Sequence, residues 1–234
     1  MRSTALSSLP RPLRVNEPSR TTTPAVLNAC GIVFSGVLAL YVLRAAPTAY
    51  LLDSSELVAT TRAFGVSHPP GHPAFHGIAA LAGWIPFGTY AFRIHVMTAA
   101  TVAAAAALLP LTAWRMGWVQ DRFDLVAASV FAALCGASYA FLFQAIRAEV
   151  YGLHALTAAA ATCALASPDD RIPPAAARGC ALALGVGLLN HHYLTVFSFP
   201  AFAFAVLWRS RPGERLQNLV VPSLIGAATL LGYA

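Results

Sequence analysis

Residues 125–143 read LVAASVFAALCGASYAFLF, nineteen positions without a single charge. About 20 apolar residues at a rise of about 1.5 Å cross the hydrocarbon core of a bilayer, so this run is long enough to span one as a helix. A second such run, Ala25 to Leu43, lies near the N-terminus. Lipid offers no hydrogen-bond partner to an open backbone, and the two-residue alternation of a barrel strand is missing from both runs. Working outward, further spans are expected at 94–113, 149–166, 175–189, 193–208 and from 219 onward. The fold class is therefore all-α, a polytopic transmembrane bundle of seven spans. The short runs 175–189 and 193–208 are expected to be tilted, re-entrant or buried against neighbours.

Composition agrees. The chain is 58% hydrophobic and 10% charged, whereas soluble domains carry about 25% charged residues. Its net charge of +6 comes from fifteen basic residues that are all Arg. They are scattered between spans with no basic stripe or interleaved aromatics, which excludes a nucleic-acid surface and fits the cytoplasmic loops of a membrane protein. Cys30, Cys135, Cys163 and Cys180 all lie in apolar segments with no C-x-x-C pair. They read as packing residues.

Residues 1–24 are rich in Ser, Thr, Pro and Arg and are expected to form a disordered cytoplasmic tail. Residues 25–234 then form the transmembrane domain, with a long first outer loop over 44–90. The run from Ala25 exceeds the 7–15 residues of a signal-peptide core, so an uncleaved anchor is expected. The chain stops at Ala234 inside an apolar run, as a fragment would. With the N-terminus inside, eleven arginines fall on the cytoplasmic side and four (Arg44, Arg62, Arg93 and Arg147) outside. That orientation puts His68, His72, His76, His95, His154, His191 and His192 in outer loops or at outer span ends. Asp53, Glu56 and Glu149 join them. Titratable groups at membrane depth are costly and mark functional cavities, so chemistry is expected at the outer face.

Four clusters there carry candidate residues. Asp53 and Glu56 stand one helical turn apart on a shared face, where two carboxylates can supply a general base and a group that positions it. The same spacing also suits a capping box, with Asp53 as N-cap and Glu56 at N3; both readings stand. His68-Pro69-Pro70-Gly71-His72-Pro73 cannot be ordinary helix, since three prolines remove donors and restrict their predecessors. A rigid turn holding His68 and His72 is expected. His68, His72 and His76 are spaced by four, but the prolines break the helix that would align them, so no metal site is assigned; a divalent cation stays possible as a cofactor. Arg147, Glu149 and Tyr151 lie at the junction of two spans, as interfacial anchors or, for Arg147, as a phosphate clamp. Asn190-His191-His192-Tyr193 occupies another outer junction and reads equally as a polar helix-end turn.

Taken in order, Leu52-Asp53-Ser54-Ser55-Glu56-Leu57, His68-Pro69-Pro70-Gly71-His72-Pro73, Arg93, Ala148-Glu149-Val150-Tyr151 and Asn190-His191 resemble the bacterial protein O-mannosyltransferase-like family, formerly a domain of unknown function. That family belongs to the GT-C class of membrane glycosyltransferases, and the match runs over residues 44–195. The resemblance implies inverting transfer of a sugar, mannose among the candidates, from a polyprenyl-phosphate carrier to a protein or glycan hydroxyl. It places this chemistry at the outer face of a bacterial inner (plasma) membrane. Asp53 is then the first choice for the base and Glu56 the second. Arg147, His68 or Arg93 would neutralise the carrier phosphate. Glu149 and His191 would bind the sugar or orient a neighbour, and His72, Tyr151 and Asn190 complete the substrate-binding set. Protein O-mannosyltransferases carry adjacent Asp and Glu, whereas two serines separate them here, which leaves open which carboxylate is the base. Two other classes compete: a proton-coupled transporter using the same acids and histidines as a relay, and a non-catalytic scaffold subunit. A carrier should show internal repeats or broken spans with ionisable groups at the midplane. No repeat is found.

Overall fold

The structure is a computed structural model and describes residues 21–167, 171–218, 220, 224 and 228. The elements in chain order are α1 (Thr23–Arg44), α2 (Asp53–Arg62), α3 (Pro73–Gly83), α4 (Tyr90–Arg115), α5 (Arg122–Ala137), α6 (Tyr139–Ala145), α7 (Val150–Leu165) and α8 (Pro174–Arg209). Among the described residues there is no strand. The tail expected over 1–24 lies outside the described residues up to position 20, and α1 already begins at Thr23. The span expected from 219 lies outside them too, apart from Val220, Leu224 and Ala228.

α4 is the central post, in contact with α1, α3, α5, α6 and α7. Its small residues make this possible. Ala99, Val102, Ala103 and Ala107 pack against Val33, Val37 and Tyr41 of α1, and small side chains let helix backbones approach closely without a hydrophobic drive from lipid. On the α7 side, a Cβ added to Gly152 would stand 2.8 Å from both Thr101 Oγ1 and Val102 Cγ2. Only glycine fits that crossing.

The seven expected spans are not supported. By length and composition three runs, α1, α4 and α8, are long and apolar enough to cross a membrane, and the bent pair α5–α6 would make a fourth, but α8 breaks at His191 and is not one straight crossing. The expected span 149–166 forms α7, whose sixteen residues reach about 24 Å against a hydrocarbon core of about 30 Å. The 125–143 run is also not one straight helix. It bends by 62° between Ala137 and Tyr139, because Ser138 adopts an extended conformation (ψ 149°) that interrupts the ladder. The break frees the carbonyl of Gly136, and the buried Tyr41 hydroxyl donates to it over 2.6 Å. A tertiary bond thus replaces a helical one.

α8 is likewise two arms, 174–190 and 192–209, joined at His191, whose φ −152° and ψ 85° are not helical. A straight helix of its 36 residues would be about 54 Å long. Instead, the N–H of Ile172 donates to the carbonyl of Arg209 over 3.0 Å, and a Cβ on Gly187 would meet Thr195 Oγ1 at 2.9 Å. The arms fold back on each other at Asn190–His191. The 44–90 loop folds into α2 and α3, which sit on the end of the bundle shared by the α5–α6 bend and the α8 turn.

Candidate functional site

The site starts from Ser54. It is fully buried; its hydroxyl accepts from the Ala148 N–H at 3.1 Å and lies 3.4 Å from His95 Nε2. His95 Nδ1 in turn donates to the Ala46 carbonyl at 2.7 Å. Ser54, Leu57 and Thr61 form the buried stripe of α2, at the spacing of one helix face. That stripe leaves Asp53 exposed and Glu56 half-exposed.

The capping box does not form. Leu52 is the N-cap, with φ 62° and ψ −148°, and no side chain caps the helix. A bulky residue at positive φ is held there only by its surroundings. Glu56 instead reaches across to the Pro-rich turn. Its Oε1 accepts from the His68 N–H at 2.6 Å and its Oε2 stands 3.0 Å from His68 Nδ1. The His68 backbone bond, followed by the side-chain bond, holds the Glu56 carboxyl below the usual carboxylate range. Among the described residues Asp53 makes no hydrogen bond or ion pair. Its carboxylate, that of Glu56 and the His68 ring place one atom each within 4.8 Å of one another, a group able to hold a cation. The helix-spaced set His68, His72 and His76 does not form such a group, because the latter two are engaged elsewhere.

The turn itself is closed by the Gly71 N–H donating to the His68 carbonyl at 2.9 Å. Gly71 has φ 94°, and His72 follows at φ 50°, launching α3. His72 is buried, and its Nδ1 donates to the Asn190 carbonyl at 2.6 Å. His76 bonds Thr61 Oγ1 (2.7 Å) and Ser67 Oγ (2.9 Å), tying α2, the turn and α3 together. Burial pushes both histidines below their ordinary range; for His72 the bond to the Asn190 carbonyl works in the opposite direction.

Arg147 and Glu149 form a buried pair, Nη2 to Oε1 at 2.9 Å, with both side chains 4% exposed. The Arg147 guanidinium also lies over the Phe143 ring at 3.8 Å, and its Nη2 reaches Gln144 Oε1 at 3.4 Å. Its Nε and Nη1 have no hydrogen-bond partner among the described residues. Asn190 is fully buried and donates from Nδ2 to the Val150 carbonyl at 2.8 Å. His191 sits between the rings of His72 (5.4 Å) and Tyr151 (5.8 Å), and His68 is 5.3 Å from His72.

Nine of the ten residues expected from sequence therefore gather at this end of the bundle: Asp53, Glu56, His68 and His72 from the α2–α3 region, Arg147, Glu149 and Tyr151 from the start of α7, and Asn190 and His191 from the turn of α8. Arg93 stands apart. Its guanidinium donates to the carbonyls of Phe87 (2.7 Å), Gly83 (2.7 Å) and Gly88 (3.2 Å) and fixes the α3–α4 turn. The sequence groups His95 and His154 with the other histidines and holds Ser54 inside the acidic motif, but nothing in it assigns a role to Ser54 and His95, which seat α2, or singles out His154.

Residues 53–215 match the family described as the Protein O-mannosyl-transferase TMEM260 N-terminal domain. Over 176 residues the chain is 30% identical to Protein O-mannosyl-transferase TMEM260 of Mus musculus, covering 70% of this chain and 24% of that protein. The chain thus spans about a quarter of the length of that relative. No solved structure gives a significant match.

Proposed function

We infer the function from one premise: the chain belongs to the Protein O-mannosyl-transferase TMEM260 N-terminal domain family. The reading is a membrane glycosyltransferase of the GT-C type that moves a sugar, mannose first among the candidates, from a polyprenyl-phosphate carrier to a protein hydroxyl. The work is done at the outer face of a bacterial inner (plasma) membrane, with the N-terminus of the chain in the cytoplasm. Asp53 takes the proton of the acceptor hydroxyl. That oxygen bonds to the anomeric carbon from the face opposite the phosphate, the bond to the phosphate oxygen breaks, and the electron pair leaves on the lipid phosphate. The anomeric centre is inverted.

The observation that carries this reading is the division of labour between the two carboxylates. Glu56 has both oxygens on His68, while Asp53, one turn away, is exposed and unpartnered among the described residues. A base must reach the proton it removes, and Asp53 has the freedom to do so. Glu56 serves by fixing the turn that carries His68 and His72. Arg147 supplies the positive charge for the leaving phosphate, since its Nε–H and Nη1–H are unused donors in a desolvated setting. A proton-coupled carrier is less well supported: spans do break at Ser138 and His191, but Asp53, Glu56, Glu149 and the histidines gather at one end of the bundle, while Asp121 and Asp124 cap α5 and Glu214 lies beside Arg211.

The test is transfer of radiolabelled mannose from polyprenyl-phosphate mannose to a Ser/Thr-containing acceptor peptide by membranes carrying the full chain. Label in the peptide is expected. Label that stays in the lipid whatever the acceptor would contradict the reading.

A further inference from the structure

Seven buried side-chain polar atoms have no hydrogen-bond partner among the described residues, and six of them lie at this end of the bundle. Buried polar groups are nearly always paired with protein, water or a ligand, so a cluster of orphans marks a place where polar molecules bind. The six sort by chemistry. Arg147 Nε and Nη1 can only donate. The other four, His72 Nε2, His154 Nδ1, Asn190 Oδ1 and His191 Nδ1, form a second set with a different demand.

Two atoms of that set have fixed roles. His72 Nδ1 faces a carbonyl and must carry its proton, so Nε2 of the neutral ring presents a bare lone pair. Asn190 Nδ2 also faces a carbonyl, so Oδ1 is the free acceptor. A phosphate oxygen cannot donate and leaves both unsatisfied. A sugar hydroxyl donates to either, and because it also accepts, it suits His154 and His191 in whichever tautomer they adopt. The set is continuous. Asn190 Nδ2 is anchored on Val150, three residues along the chain from Arg147. The Tyr151 ring stacks on His191, and His154 stands one turn after Tyr151 on the same side of α7.

We propose that His154, with His72, Asn190 and His191, forms the subsite for the ring hydroxyls of the donor sugar, next to the donor-only Arg147 that faces the phosphate. The proposal rests on the glycosyltransferase reading and deepens it by orienting the donor, with phosphate toward Arg147 and sugar toward the α7–α8 contact. His154 is the new member of the site and the most direct to test.

The experiment measures binding of two probes to the full chain in lipid nanodiscs: polyprenyl-phosphate mannose, and polyprenyl phosphate without sugar. His154→Leu should weaken the mannose-bearing lipid about tenfold, the value of one hydrogen bond in a buried site, and leave the bare lipid phosphate unchanged. His154→Gln, which keeps a donor and an acceptor, should recover part of the loss. A wild-type chain challenged with a deoxymannosyl lipid should show a matching deficit, which does not depend on any variant folding. Equal weakening of both probes by His154→Leu, no change with either, or full affinity of the wild-type chain for every deoxymannosyl lipid would overturn the subsite. A wild-type chain that binds the two lipids alike fails the donor reading itself, a different result from a sugar preference that ignores His154.

Discussion

His72 Nδ1 donates to the main-chain carbonyl of Asn190 over 2.6 Å, joining the Pro-rich turn to the bend of α8 across 118 positions of chain. The bond fixes the tautomer of His72 and couples two motifs that are far apart in sequence. Burial, working against that bond, keeps the histidine neutral inside the protein, with consequences for pH.

Burial holds His72 and His76 below the ordinary value of 6.5, so the unfolded chain binds protons that the folded chain refuses. Stability from this source is complete above that ordinary value and declines as pH falls from there toward the lower folded values. Thermal unfolding in detergent should therefore show a falling Tm between about pH 7 and about pH 5, and His72→Gln should flatten part of the slope. A Tm that rises over this interval would contradict the neutral assignment.

Glu56→Ala removes the acceptor of the His68 N–H. Hydrogen exchange over residues 66–72 should then speed by about tenfold or more, as expected for one charge-assisted bond. Glu56→Gln keeps an acceptor for that N–H and should exchange more slowly than Glu56→Ala while retaining measurable transfer. Unchanged exchange in both variants would show that the turn holds itself.

Tyr41→Phe leaves the Gly136 carbonyl without its partner at the α5–α6 bend. A loss of about 1–3 kcal/mol is expected for an unsatisfied buried acceptor, measured by thermal or denaturant unfolding. Wild-type stability in this variant would mean that the bend does not depend on α1.

Arg147→Ala strands the Glu149 carboxylate in a buried setting, where removing one member of an ion pair costs about 3–5 kcal/mol. Replacing both Arg147 and Glu149 by Leu should restore most of that stability but not binding of polyprenyl phosphate. Recovery of binding along with stability would remove Arg147 from the phosphate site.

The clustering of most of the candidate residues was legible in the sequence, because prolines, paired acids and His-rich junctions are local signals. Asn190–His191 was read as a junction between two short runs, and the chain does fold back there. The number of spans was not legible. Hydropathy sees the 125–143 run as uniform, since Ser138 is a small residue and the bond that holds its break comes from Tyr41, nearly a hundred positions away. The fate of Glu56 was hidden in the same way. Spacing from Asp53 suggests a cap, whereas its partner His68 lies twelve residues beyond, reached only once α2 is seated by Ser54 and His95. His154 had no motif around it, and only the pattern of unpaired atoms on α3, α7 and α8 marks it.

The assignment of Asp53 as the base is tested most directly by transfer from polyprenyl-phosphate mannose in the Asp53→Asn variant, with membrane insertion checked in parallel. Normal insertion, retained binding of the donor lipid, and a loss of transfer of about a hundredfold or more, as for removal of a general base, are expected. Transfer at the wild-type rate by Asp53→Asn would contradict the assignment.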